Sequence, residues 1–218
     1  SAATKIPALL NLVTTIFQQA WQLSAISEYK NSDKEKFYTE VFEMYSFTVM
    51  VFTSILIILS PYIAKLLLKG EFYESRQYVP MLLLTALLTS YSTFFGTFYM
   101  VTKNTLINMY STIIGAMINL VVSLILIKSF KIDAVLIAGI ISFLVINYIR
   151  IKKLKGLIDL KIDFKKFFIE LGILFLMAHS VTKENIAFSL FLLIILILLK
   201  QSMLRQVVVK LIKSLEKY

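Results

Sequence analysis

The 218-residue chain has no cysteine, 3 prolines, 6 glycines, a single histidine and a single tryptophan, and only 17% of its residues are charged. Without cysteine there are no disulfides, no thiolate-bound zinc and no thiol nucleophile. Glycines this sparse, with no Walker-type run among them, leave no phosphate-cradling loop of that kind. Charge falls well below the ~25% of an average soluble domain, while 58% of the residues are hydrophobic. So few polar groups would not cover the surface of a soluble domain of this length, so a soluble enzyme is excluded and lipid is the expected solvent. The chain opens Ser1-Ala2-Ala3 with no Met, and no basic segment precedes a short apolar one. A signal peptide is therefore not expected, and the chain reads as the back part of a longer protein.

The hydrophobic residues are gathered into seven blocks: Ile6–Ser27, Met44–Ala64, Gln77–Thr102, Asn104–Ile127, Ala134–Ile149, Phe167–Thr182 and Asn185–Leu199. The first four carry no formal charge and reach the roughly 20 residues a helix needs to cross a ~30 Å hydrocarbon layer. The last three are shorter and would span with snorkelling ends such as Arg150, Lys166 and Lys200. A transmembrane barrel would need alternating apolar and polar residues. The run Phe191-Leu-Leu-Ile-Ile-Leu-Ile-Leu-Leu199 does not alternate. The expected class is all-α and polytopic, one transmembrane domain over residues 1–218 with about seven helices.

Net charge is +10, from 23 Lys and Arg against 13 Asp and Glu. The cations lie between apolar blocks, which suits anionic headgroups and not nucleic acid. Seven passes divide the cations sixteen to seven, the larger share falling in the first-to-second, third-to-fourth and fifth-to-sixth connections and the C-terminal tail. The positive-inside rule then places those connections and the C-terminus in the cytoplasm. The connection Glu28–Glu43 and the tail Lys200–Tyr218, which mix charge with apolar residues, are expected as interfacial helices. Pro61 is expected to kink the second span.

Polar residues inside the spans are the candidate functional groups, because lipid offers them no hydrogen-bond partner. In the first span Asn11, Thr14, Thr15, Gln18 and Gln22 fall within an arc of about 100° at 100° per residue, opposite Leu9, Leu12, Ile16 and Leu23. Such an arc either glues two helices or walls a hydrated cavity for a polar substrate such as a sugar, and three amides with two threonines favour the cavity. Asn104, Asn108, Ser111, Gly115 and Asn119 form a second stripe, within about 80°, whose small members favour close helix packing. The Ser and Thr residues of the third span return their hydroxyls to the backbone and make no demand of their own. Glu170 is the one acid inside a span, near its cytoplasmic start, and His179 reads as interfacial. No metal site, cofactor or paired-carboxylate chemistry is expected.

Several segments carry a family likeness. Lys5-Ile6-Pro7, Ile16-Phe17-Gln18-Gln19-Ala20-Trp21-Gln22, Ser24-Ala25 and Glu28 resemble the eighth helix of bacterial polysaccharide repeat-unit flippases, the O-antigen and capsule exporters of the MOP superfamily. Pro61, Leu68-Lys69-Gly70-Glu71-Phe72-Tyr73 and Tyr78-Val79-Pro80 resemble that family's connection between helices nine and ten, and Asn119 with Leu126-Ile127 resembles helix eleven. Where the family has a Gly-rich stretch before the next helix, this chain has Ser129-Phe-Lys-Ile-Asp-Ala134. The resemblance implies the C-terminal lobe, helices eight to fourteen, of a transporter in the bacterial plasma membrane with a cytoplasmic C-terminus. It implies movement of an undecaprenyl-pyrophosphate-linked oligosaccharide by alternating access, with an N-terminal lobe, membrane lipids and the lipid-linked oligosaccharide as partners. Asn11, Thr15, Gln18 and Gln22 would then meet sugar hydroxyls, and Lys5, Lys103 and Arg150 are candidate phosphate contacts. A drug/cation antiporter of the same superfamily is one alternative reading. A membrane-embedded polysaccharide polymerase or ligase is another, though it would need a larger external loop.

Overall fold

The computed structural model describes residues 2–68, 70–158 and 160–201. Within them the regular structure is helical: α1 (Lys5–Glu28), α2 (Lys34–Leu67), α3 (Val79–Val101), α4 (Leu106–Phe130), α5 (Ile132–Leu154), α6 (Phe164–Thr182) and α7 (Ile186–Leu199), with 3₁₀ segments at Ala2–Thr4 and Gly70–Tyr78. The α-helices correspond one for one to the seven hydrophobic blocks. Four stretches, Lys34–Leu67, Tyr73–Val101, Leu106–Phe130 and Ile132–Leu154, are long and apolar enough to cross a membrane. α1 has the length but is diluted by its amides, and α7, with 14 residues, spans about 21 Å at 1.5 Å per residue.

One expectation is corrected. Lys34–Glu43 is no separate interfacial helix, because α2 runs without a break from Lys34 to Leu67, roughly 51 Å of helix. Pro61 lies within it. Proline withholds the N–H that the carbonyl four residues back would accept, and here the Ser60 hydroxyl donates to that carbonyl, Ile57 O, at 2.8 Å. The tail expected as an interfacial helix lies, from Ser202 onward, outside the described residues.

Contacts between connections support the up-and-down order. At one end Lys161 N, between α5 and α6, donates to Thr39 Oγ1 near the start of α2 at 3.3 Å. At the other end Arg76, between α2 and α3, pairs with Glu184, between α6 and α7, at 3.2 Å. α3 lies at the centre: it packs on α1, α2, α5 and α6, and most of its residues are buried. Against it α1 and α2 build an aromatic core, with Phe94 stacked between Trp21 (5.0 Å) and Tyr45 (4.8 Å) and Tyr38 edge-on to Phe98. α4 is peripheral. Of its residues only Ser111 and Gly115 are buried, while Leu120, Leu124 and Ile125 stand outward as lipid-facing residues do. Gly115 allows α4 to approach α5, because a Cβ there would lie 2.3 Å from Ile146 Cδ1. The second polar stripe therefore serves packing, the reading that its small residues favoured.

Candidate functional site

Among the described residues, three assemblies join polar side chains from different helices and differ in how much hydrogen-bonding capacity they leave unspent.

The first is a groove of about 500 Å³ between α1 and α3, lined by Asn11, Thr14, Thr15, Gln18, Gln19, Gln22, Thr89, Ser90 and Thr93. All nine are uncharged hydrogen-bonding residues. The arc of the first span thus lies along one wall, and α3 supplies the other. Helix α1 turns a narrow stripe inward, Ile6, Leu10, Thr14, Gln18, Trp21 and Ala25, spaced by three or four residues as one helical face requires. Asn11, Thr15 and Gln19 are exposed beside that stripe and Gln22 is half-buried. Gln18 is 6% exposed, and its Oε1 accepts from Thr97 Oγ1 at 3.3 Å. Its Nε2 has no partner among the described residues. The hydroxyl of Tyr45 lies beside Gln18 and Ser90. The hydroxyls of Thr85, Thr89, Ser90, Thr93 and Thr97 return to their own backbone as expected, whereas Ser92 Oγ receives Arg150, and Thr89, Ser90 and Thr93 still line the groove. Only the packing of α1 against α3 reveals that.

The second assembly surrounds Arg150, and here an expectation fails. Arg150 was a candidate phosphate contact and a snorkelling anchor at the end of its span. Instead α5 continues to Leu154, and the guanidinium turns inward and is 7% exposed. Nε donates to Ser111 Oγ at 3.0 Å, Nη1 to Ser92 Oγ at 2.9 Å and to the Ser92 carbonyl, and Nη2 to Thr112 Oγ1 at 3.0 Å and the Asn108 carbonyl at 3.4 Å. Those contacts account for the five N–H groups of a guanidinium, so none is left for a phosphate. The Arg150 carbonyl accepts from the Tyr99 hydroxyl, and Asn147, one turn earlier, donates to the Leu88 carbonyl at 2.9 Å. Arg150 is thus a clamp joining α3, α4 and α5. The other two candidate phosphate contacts are exposed: Lys5 on the first turn of α1, and Lys103 in the turn between α3 and α4, at a positive φ of 58°.

The third assembly was not legible in the sequence. Lys200, just beyond α7 and also expected to snorkel, is 5% exposed and pairs with Glu170 of α6 at 2.9 Å. Glu170 is 2% exposed. Lys200 Nζ also donates to Ser46 Oγ of α2 at 3.1 Å, and Ser46 shares a hydrogen bond with the Tyr91 hydroxyl of α3 at 2.9 Å. A cavity of about 70 Å³ adjoins the pair, lined also by Glu43, Lys161, Asp163 and Lys166. Glu170 was noticed as an acid in a span, but its partner lies thirty residues away, beyond a turn. His179 is exposed near the end of α6, in keeping with an interfacial position.

Compared with known proteins, residues 29–125 match the MatE family model. No curated protein and no solved structure matches the chain. The matched stretch covers just under half of the chain. It contains α2, α3 and most of α4, and so the α3 wall of the groove, but it begins after α1. MatE proteins are polytopic membrane transporters of the MOP superfamily and are not enzymes. Over that stretch the chain is thus similar to a family of membrane transporters, and four of its helical stretches are long and apolar enough to cross a membrane.

Proposed function

We propose that this protein is a transporter that moves a lipid-linked oligosaccharide, an undecaprenyl-pyrophosphate-linked repeat unit of O-antigen or capsule, across the bacterial plasma membrane by alternating access. The observation that carries the reading is the groove between α1 and α3, whose nine lining residues are all uncharged hydrogen-bonding groups. Neutral sugars present many hydroxyls and no charge, and they are held by such groups. In repeat-built transporters the substrate site lies between the two halves near the midplane. On this reading the chain is the C-terminal lobe, an N-terminal lobe closes over the groove, and the C-terminus is cytoplasmic. Asn11, Thr15, Gln18 and Gln22 make contacts to the sugar. The pyrophosphate is left to exposed cations such as Lys5 and Lys103, because Arg150 is committed to its clamp.

Drug/cation antiport within the superfamily would call for a carboxylate in the cavity to meet a cation. No residue lining this groove is acidic, and the buried acid Glu170 is neutralised by Lys200. The test is the location of the lipid-linked repeat unit when the gene is disrupted. Completed units held on the cytoplasmic face are expected, with Gln18→Leu and Gln22→Leu giving weaker forms of the same defect. Normal arrival of units at the outer face in the disrupted strain would end the flippase reading.

A further inference from the structure

The polarity of the two groove walls differs. Thr85, Thr89, Thr93 and Thr97 recur every four residues along α3, and the first three hydroxyls donate to the carbonyl four residues back, Met81 O at 3.1 Å, Thr85 O at 2.8 Å and Thr89 O at 3.1 Å, while Thr97 shares its one proton between Thr93 O at 3.4 Å and Gln18 Oε1 at 3.3 Å. A step of four residues advances about 400°, so the ladder drifts roughly 40° at each rung. Its first rung faces α5, where a Cβ on Gly139 would lie 3.5 Å from Thr85 Cγ2. Its last rung also reaches Gln18 of α1. Only the middle rungs, Thr89 and Thr93, open into the groove, joined by Ser90, whose hydroxyl donates to Leu87 O at 2.7 Å.

A hydroxyl has one proton to give and two lone pairs with which to receive. Once that proton is committed to the helix backbone, the group offers a ligand only acceptor oxygens. Thr14 on the facing wall is in the same condition, donating to Asn11 O at 3.1 Å. The amide side chains on α1 are different, since each offers both a carbonyl and an NH₂. At the base Gln18 is 94% buried and lines the groove with an Nε2 that has no partner. An unmet buried hydrogen-bonding group of this kind calls for a ligand or water.

We infer that Thr89, Ser90 and Thr93 are specificity-determining residues that select ligands by their O–H donors. On the oligosaccharide reading above, on which this inference rests, the α3 wall takes free sugar hydroxyls and discriminates against rings whose hydroxyls are removed or masked. Thr89 and Thr93 are separated by about 6 Å along the helix axis, so the two rungs receive hydroxyls from non-adjacent carbons of one ring or from two successive rings. The amides of α1 meanwhile donate to the oxygens of the same hydroxyls.

The experiment uses the full chain in lipid nanodiscs and two soluble probes, maltotriose and a deoxyfluoro maltotriose in which fluorine, close in size to a hydroxyl, has no proton to donate. Affinities are read by ligand-observed NMR. Maltotriose is expected to bind about three- to tenfold more tightly than the fluorinated probe for each hydrogen bond lost. Thr89→Val and Thr93→Val, of the same shape but without the acceptor oxygen, are expected to weaken maltotriose by a similar factor each and leave the fluorinated probe unchanged. Thr89→Ser and Thr93→Ser, which keep the hydroxyl, should retain the preference and show that the valine variants do not act through misfolding. Equal binding of the two probes, abolished for both by Gln22→Leu, would overturn the acceptor wall and leave the oligosaccharide reading standing. Binding of neither probe would overturn that reading, and the inference with it.

Discussion

The groove between α1 and α3 and the Arg150 clamp among α3, α4 and α5 are made of the same materials, serine, threonine and asparagine on helices facing one another, yet they are suited to opposite purposes. In the clamp the side chains of Ser92, Ser111 and Thr112 are turned onto a guanidinium whose five N–H groups are all received. No N–H of that guanidinium remains for a ligand, and the capacity left unspent beside it is the Oδ1 of Asn108 and of Asn147, acceptor oxygens buried among the three helices. In the groove, Gln18 Nε2 is unpartnered and Asn11, Thr15 and Gln19 are exposed along an open cavity. A polar residue in a membrane helix therefore says little by its type. What matters is whether its hydrogen-bonding capacity is spent inside the protein, because the unspent part is what a substrate meets.

The largest effect expected from perturbing this division lies at the third assembly, where charge is buried. Glu170→Ala or Lys200→Ala alone leaves the other charge without its partner and should cost about 3–5 kcal/mol. Glu170→Leu combined with Lys200→Leu should recover most of that loss, since an apolar pair needs no compensation. Thermal unfolding of the purified variants checks both outcomes. A double variant as unstable as the singles would mean that the pair does more than neutralise itself.

Next in size is the clamp. Arg150→Ala removes the bonds to α3 and α4 and leaves a cavity, and should destabilise by about 2–4 kcal/mol. Gly115→Leu, by driving a side chain into Ile146, should cost about 1–3 kcal/mol and loosen the same pair of helices. Cysteines introduced across the α4–α5 interface would then cross-link less efficiently, a measurement simplified by the absence of native cysteine.

The groove should respond in the opposite way. Asn11→Leu and Gln22→Leu remove groups that are exposed or half-buried, so stability should change by no more than about 0.5 kcal/mol, while export of surface polysaccharide falls. Leu12→Ala and Leu23→Ala, exposed on the far face of α1, should leave export near normal. Loss of folded protein in the amide variants would make the groove a second clamp and erase the comparison.

The smallest perturbation tests sidedness. Ser32→Cys and Leu157→Cys, both exposed, should resist a membrane-impermeant thiol reagent applied to intact cells, and Glu74→Cys and Lys183→Cys should react. Labelling of Leu157→Cys from outside would invert the orientation drawn from the sixteen-to-seven division of cations.

The sequence by itself determined the solvent, the class and the number of helices, because uninterrupted apolar blocks have one stable form in lipid once their backbone must be satisfied internally. It also determined which face of α1 is polar, since helical periodicity fixes angular position without knowledge of any neighbour. Only the tertiary structure decided where Arg150 and Lys200 point. Both sit at the end of an apolar block, where a flexible cation can snorkel to the headgroups or turn inward, and the choice depends on partners that lie 38 to 58 residues away for Arg150 and 30 and 154 residues away for Lys200. The same holds for α3. Its threonines each satisfy themselves locally, so the sequence gives no reason to single out Thr89 and Thr93. Their role arises from a drift of roughly 40° per rung, which turns those two rungs, and not Thr85 or Thr97, into the space that α1 leaves open.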